Sequence, residues 1–82
     1  MRGTLVKTEA RISSPKDVWP LAKPYANKRV EHFLVFTLNG NHAPIKRYVV
    51  SMGLVNRTVV HPREVFYFAI KDMATAIVLC HN

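Results

Sequence analysis

Phe33-Leu34-Val35-Phe36-Thr37-Leu38 is the stretch on which the fold turns. It is apolar at both of its alternating sets of positions. A strand wet on one face alternates apolar with polar, so this run reads as a strand covered on both faces. Directly after it, Asn39-Gly40-Asn41 is the strongest short turn signal in the chain. The next run, Ile45 to Met52, then reads as a second strand, antiparallel to the first. Lys46 and Arg47 mark its wetter end, and Gly53 closes it.

Helices are expected on either side of this hairpin. Upstream, Ser13-Ser14-Pro15-Lys16-Asp17 is a helix start. Ser14 suits the cap, Pro15 the first helical position, and Asp17 lies three residues after the cap. Val18, Trp19, Leu21 and Ala22 are expected on the buried side. Pro20 should weaken or bend the helix and Pro24 should end it, giving a short element over about 15–24. Downstream, His61-Pro62-Arg63-Glu64 opens a second helix, with Glu64 placed to complement the helix dipole. Val65, Phe66, Ala69, Ile70 and Met73 recur at helical spacing as one apolar face. The uncharged run Ala74 to Cys80 reads as a central, buried strand. Residues 1–12 show no period and read as an arm, so the domain is expected over 13–82. The order α-β-β-α-β places the chain in the α/β (α+β) class, a mixed sheet with flanking helices.

The chain has 82 residues, room for one small domain. Its composition, 49% hydrophobic and 21% charged, is that of a globular protein rather than a disordered one. No apolar run approaches the roughly 20 residues that cross a bilayer, and with no long apolar run near the N-terminus a secretory signal is not expected. The single cysteine, Cys80, excludes an internal disulfide and a zinc site built of cysteines alone. These features point to a cytoplasmic protein without a membrane segment. Residues 1–30 hold seven basic and two acidic groups and residues 31–82 five and three, so +5 of the net +7 sits in the N-terminal third. Such an excess admits weak, sequence-independent nucleic-acid binding, although scattered cations also serve simply as a solvated surface.

Several stretches together resemble one family. They are Glu31-His32-Phe33-Leu34-Val35, Val49-Val50-Ser51-Met52-Gly53 with Asn56, His61-Pro62-Arg63-Glu64-Val65-Phe66, and Ala76-Ile77-Val78-Leu79-Cys80-His81-Asn82. In order and spacing they are similar to the RadC family, a branch of the JAB/MPN (JAMM) metallohydrolases, over roughly residues 12–82. The resemblance implies a zinc-dependent metallopeptidase or isopeptidase. In that family both histidines of a His-x-His and a later Asp hold the zinc, and a Glu at the start of an upstream strand is the general base. Carried over residue by residue, His81 matches the first zinc histidine and Glu31 the general base. The family continues with His-Pro-Ser-Gly and the Asp, which have no counterpart within residues 1–82. Nor is the helix-hairpin-helix segment that precedes the domain in RadC proteins matched. The chain therefore reads as the N-terminal half of a JAB/MPN domain, truncated, with zinc weakly held or absent and no activity of its own. Gly53-Leu54-Val55-Asn56 also departs from the family's Gly-Thr-Leu-Asn, which removes a hydroxyl.

The chemistry gives these residue types their meaning. A catalytic zinc takes three protein ligands and a water, and it makes hydroxide available near neutral pH. A neighbouring carboxylate accepts the water's proton and passes it to the leaving amine. The expected substrate of the complete domain is a peptide or isopeptide amide. The alternative reading is a non-catalytic MPN-like binding module associated with DNA or DNA repair. Outside Glu31 and His81, simpler readings hold. His32 and His42 read as surface residues, His61 as a helix-start residue, and Asn56 as a turn former. Arg63 and Glu64 read as a structural ion pair rather than a surface cluster near the site, Trp19 as a core anchor rather than a base-stacking platform, and Cys80 as buried filling rather than a nucleophile. Val65, Phe66, Ile70 and Met73 are expected in the core.

Overall fold

The computed structural model describes residues 3–6, 10–53 and 62–82, with the side chains of 51–53 excepted. The expected roles of Asn56 and His61 lie outside the described residues. The elements run β1 (Gly3–Leu5), α1 (Pro15–Ala26), β2 (Glu31–Leu38), β3 (Pro44–Gly53), α2 (Pro62–Lys71) and β4 (Ala76–His81). The four strands form one antiparallel sheet in the order β1-β3-β2-β4. The architecture is mixed α and β, as the sequence pattern implies. None of the described helices is long and apolar enough to cross a membrane.

The β2 strand lies inside the sheet, and its two faces feed two cores. Leu34, Phe36 and Leu38 pack with Ile12, Val18 and Ala22 under α1. Val35 packs with Tyr48, Val50, Val65 and Phe68 under α2. This explains the absence of alternation in Phe33–Leu38: each parity of the strand faces its own helix. The largest fully buried side chains, among them Tyr48, Phe36 and Leu34, belong to β2 and β3. Burial of Phe36 and of Leu34 stabilises the fold by about 1.5–3 kcal/mol each. Tyr48 stacks on Phe68 with ring centroids 4.1 Å apart, which couples β3 to α2.

The hairpin between β2 and β3 is built differently from a two-residue Asn-Gly turn. Asn39 C=O accepts from His42 N–H, Asn39 N–H donates to Ala43 C=O, and His42 takes φ 60°. This is a three-residue loop with the left-handed position at its end. It falls on His42, while no glycine of the described residues has positive φ. The Asn39 side chain closes the loop by accepting from the amides of Asn41 and Ala43.

Five expectations about elements need correction. Gly3–Leu5, inside the expected arm, is an edge strand paired with Lys46–Tyr48 of β3. Three residues are too few to display a period, and the pairing is supplied by the partner strand. A Cβ on Gly3 would lie 2.5 Å from the Tyr48 ring, so only glycine passes beneath it. Helix α1 runs through Pro24 to Ala26. Its prolines deprive the carbonyls of Lys16 and Pro20 of their helical partners, but residues 16, 20 and 24 share an exposed face, where water can serve those carbonyls. Trp19, on the same element, is 55% exposed rather than a core anchor.

On α2 the buried residues are Val65 and Phe68, whereas Phe66, Ile70 and Met73 are exposed at 56, 76 and 88%. Val65 to Ile70 is apolar without a break, so the spacing fixes no rotation of the helix. That rotation brings the carboxylate of Asp72 in toward the sheet, with its side chain only 3% exposed. Finally, β4 is neither central nor fully buried. Among the described strands it has β2 as its one neighbour, and Leu79 is exposed. A run without charge can lie at a sheet edge when one face only is covered.

Candidate functional site

Glu31 is the first residue of β2 and His81 the last of β4. The two strands are antiparallel, with Phe33 opposite His81. Glu31 is two residues from Phe33, so its side chain rises from the same face as the diagonal neighbour of His81. The functional atoms meet there: His81 Nε2 lies 3.3 Å from Glu31 Oε2. Glu31 is the more covered of the two, its side chain 20% exposed against 45% for His81. The Phe33 ring lies beside the imidazole, centroids 6.0 Å apart, and supplies an apolar wall. At the same end of the hairpin, β3 carries an extra residue. Phe33 pairs with Ser51 and Leu34 with Val49, so Val50 bulges. Bulges commonly occur beside sites, where they re-aim neighbouring chain.

Asn82 has a positioning role that the sequence reading did not assign. Its Oδ1 accepts from His32 N–H at 2.6 Å, and its Nδ2 donates to the carbonyls of Tyr25 at 2.7 Å and Val30 at 3.3 Å. One side chain thus ties the end of β4 to the start of β2 and to the end of α1. It fixes the backbone on both sides of the Glu31–His81 approach. The signal was the motif itself, since Asn82 follows His81 directly, but the partners are backbone groups about fifty residues away, beyond any sequence pattern.

His32 is not a surface residue. It is buried, its Nδ1–H donates to the Val30 carbonyl at 2.8 Å, and its ring lies against Tyr25. It points to the α1 side of the sheet, away from Glu31, as its neighbouring strand position requires. His42 is exposed, as expected. Arg63 and Glu64 form no ion pair with each other among the described residues; both line a hollow with Tyr67 and Phe68. Cys80 is half-buried on the α1 side, partly filling that core.

The pair can exchange a proton: Nε2–H donates to the carboxylate, and a deprotonated Nε2 offers its lone pair to a proton or a metal. Among the described residues no three of His, Cys, Asp or Glu come together. The Nε2 of His81 faces the Glu31 carboxylate. By themselves, therefore, the described residues do not fit the three-ligand set of a resident zinc.

A model of the RadC-like JAB domain matches residues 12–82. The chain belongs to the RadC-like JAB domain family. A UPF0758 protein of Methanospirillum hungatei is 44% identical over 78 residues, 93% of this chain and 35% of that protein. One of Pelobacter propionicus is 39% identical over 82 residues, 99% of this chain and 36% of that protein. One of Geotalea uraniireducens is 40% identical over 73 residues, covering 88% and 32%. The chain spans about a third of the length of the curated relatives it matches. The strand pairing described above brings together Glu31 and His81, the two residues for which the sequence resemblance implies the base and the first histidine of the motif.

Proposed function

We propose that this chain carries part of an amide-hydrolysing JAB site, in which Glu31 is the proton-accepting carboxylate and His81 one metal ligand. The observation that supports this reading is the 3.3 Å approach of the two side chains, produced by β2–β4 pairing in a chain of this family. Glu31 is sheltered enough to remain a defined acceptor and open enough to reach a water. It takes a proton from that water and returns it to the leaving amine of a peptide or isopeptide. His81 stands beside it, its ring confined by Phe33 and its backbone fixed through Asn82. On this reading the 82 residues alone hold zinc weakly, without defined stoichiometry, and do not hydrolyse amides, because two ligands of the family's set lie outside residues 1–82.

The test is restoration. The protein is extended with the family's His-Pro-Ser-Gly and Asp-bearing segment, and its metal content is measured after dialysis. One zinc per chain is expected in the extended form and none in the 82-residue form. In the extended form His81→Ala should abolish tight binding. Glu31→Gln should keep the metal and lower any amidase activity by about 10²–10⁴-fold, the usual contribution of a general base. Release of zinc by Glu31→Gln, or unchanged activity, would show that Glu31 is not the base. One tightly held zinc per monomer in the unextended chain would overturn the split of ligands.

A further inference from the structure

The outer face of α1 combines three features that no hydrolase role uses. Lys16, Trp19 and Lys23 stand at i, i+3 and i+7, which places them on one helical face. All three are exposed. Trp19, the chain's only tryptophan, leaves 55% of its surface in water. More than half of this large indole is open to a ligand, and its flat apolar face is the part that a stacking group would cover.

Among the described ion pairs, none compensates the charge around it. Asp17 is the only acidic residue between residues 10 and 30. Its carboxylate is turned to the helix start, accepting from the Ser13 amide at 2.8 Å and the Ser14 amide at 3.0 Å. No carboxylate pairs with Lys16, Lys23, Lys28 or Arg29 among the described ion pairs, where Lys46 with Asp72 is the only Lys pair. Beside Trp19, between α1 and β4, runs an open apolar groove of about 650 Å³ whose walls include Val18, Ala22, Val78 and Leu79.

We propose that this face binds single-stranded nucleic acid, with Trp19 stacking on a base and Lys16 and Lys23 holding the phosphates on either side. The two lysines lie about 10 Å apart along the helix axis, one on each side of Trp19. An aromatic flanked by cations matches the two requirements of a single strand, a π surface for bases and positive charge along the backbone. Lys28 and Arg29, exposed just past the helix, add positive charge at its C-terminal end. A duplex is the poorer ligand, because its bases are already stacked and cannot cover Trp19. The +7 net charge favours encounter with any polyanion; the indole is what selects unpaired bases. This inference is independent of the Glu31–His81 reading.

Because Trp19 is the sole tryptophan, its fluorescence reports on the site directly. The 82-residue protein is titrated at low salt with a short oligothymidylate, a duplex of equal charge, and inorganic polyphosphate. Saturable quenching by the oligothymidylate is expected, with no comparable quenching by polyphosphate or duplex. By anisotropy of a labelled oligothymidylate, Trp19→Leu should weaken binding by about tenfold or more. Joint Lys16→Ala and Lys23→Ala should lower the slope of log affinity against log salt by about 1.4, two phosphates' worth for a single strand. Both lysines are exposed and alanine favours helix, so these variants keep the fold, which circular dichroism checks. Absence of quenching at low salt, equal quenching by polyphosphate, or unchanged affinity in Trp19→Leu would each overturn the proposal. So would quenching produced by an apolar peptide but not by the oligonucleotide.

Discussion

His42 and Met73 are the two described residues other than glycine with positive φ, at 60° and 53°. An L-residue in this region carries a Cβ that crowds the following carbonyl, at a cost of roughly 1–2 kcal/mol. His42 ends the β2–β3 loop. Met73 follows the last turn of α2, where its amide donates to the Ile70 carbonyl and the Ala74 amide to that of Ala69. That pair of bonds is a Schellman cap, and its left-handed position is normally glycine. Both side chains are exposed, Met73 at 88%, so little packing offsets the strain. His42→Gly and Met73→Gly should each stabilise the protein by about 0.5–1 kcal/mol, the strain relieved less the greater freedom of unfolded glycine. Urea unfolding of the single and double variants checks this, with additive gains expected because the two sites share no hydrogen-bond partner.

At the scale of elements, α1 has the most to lose at acid pH. The amides and hydroxyls of Ser13 and Ser14 that donate to Asp17, the Ser13 amide foremost, hold its carboxyl below the ordinary 3.8. A depressed pKa in the folded state means that the ionised form is the stabilising one. That contribution is complete above the unfolded value and is lost as pH falls through the folded one. Helicity and melting temperature should therefore fall on acidification below about pH 4, and Asp17→Asn, which keeps an acceptor without the charge, should flatten that part of the profile. Following both proteins by circular dichroism across the acid range checks the sign.

The start of this helix was legible because Ser14, Pro15 and Asp17 act locally. Its end was not, because whether Pro24 terminates a helix depends on which way its face looks. The hairpin was legible because Phe33–Leu38 and Ile45–Met52 read as two strands separated by a turn signal, although the strands run on to Glu31 and to Gly53 and the loop places its left-handed residue at His42. The strand Gly3–Leu5 was not, since it exists only through β3. Of the site, Glu31 and His81 were legible as motif positions, whereas the role of Asn82 and the burial of His32 depend on contacts across the fold.

At the scale of the whole molecule, one carboxylate joins α2 to two strands. Asp72 follows α2, where the helix dipole disfavours negative charge, yet its side chain is buried. It accepts from Tyr48 Oη of β3 at 2.7 Å and from Thr37 Oγ1 of β2 at 2.8 Å, and Lys46 Nζ stands 3.7 Å away. A buried charge in an unfavourable position persists when its hydrogen bonds are complete. These bonds also set the rotation of α2 that its unbroken apolar sequence leaves undetermined, placing Val65 and Phe68 inward. Asp72→Ala leaves Tyr48 Oη without its acceptor in the core, at about 1–3 kcal/mol for each stranded group. Thr37 retains a fallback in the Lys46 carbonyl, 3.4 Å away. Tyr48→Phe removes a donor to a charged acceptor that keeps two other partners, so it should cost less than Asp72→Ala. The double variant should be less destabilised than the sum of the singles, since each removes the same bond. A further signature follows from ionisation. Burial first, and then the bond to Asp72, raise the Tyr48 hydroxyl well above its ordinary 10.0. The neutral phenol is thus the stabilising form, complete below the unfolded value and lost as pH rises past it toward the folded one. Urea unfolding at rising pH should show wild type losing stability above about pH 10 more steeply than Tyr48→Phe. Parallel profiles, or additive costs in the double variant, would mean that Asp72 and Tyr48 do not act as one unit in fastening α2 to the sheet.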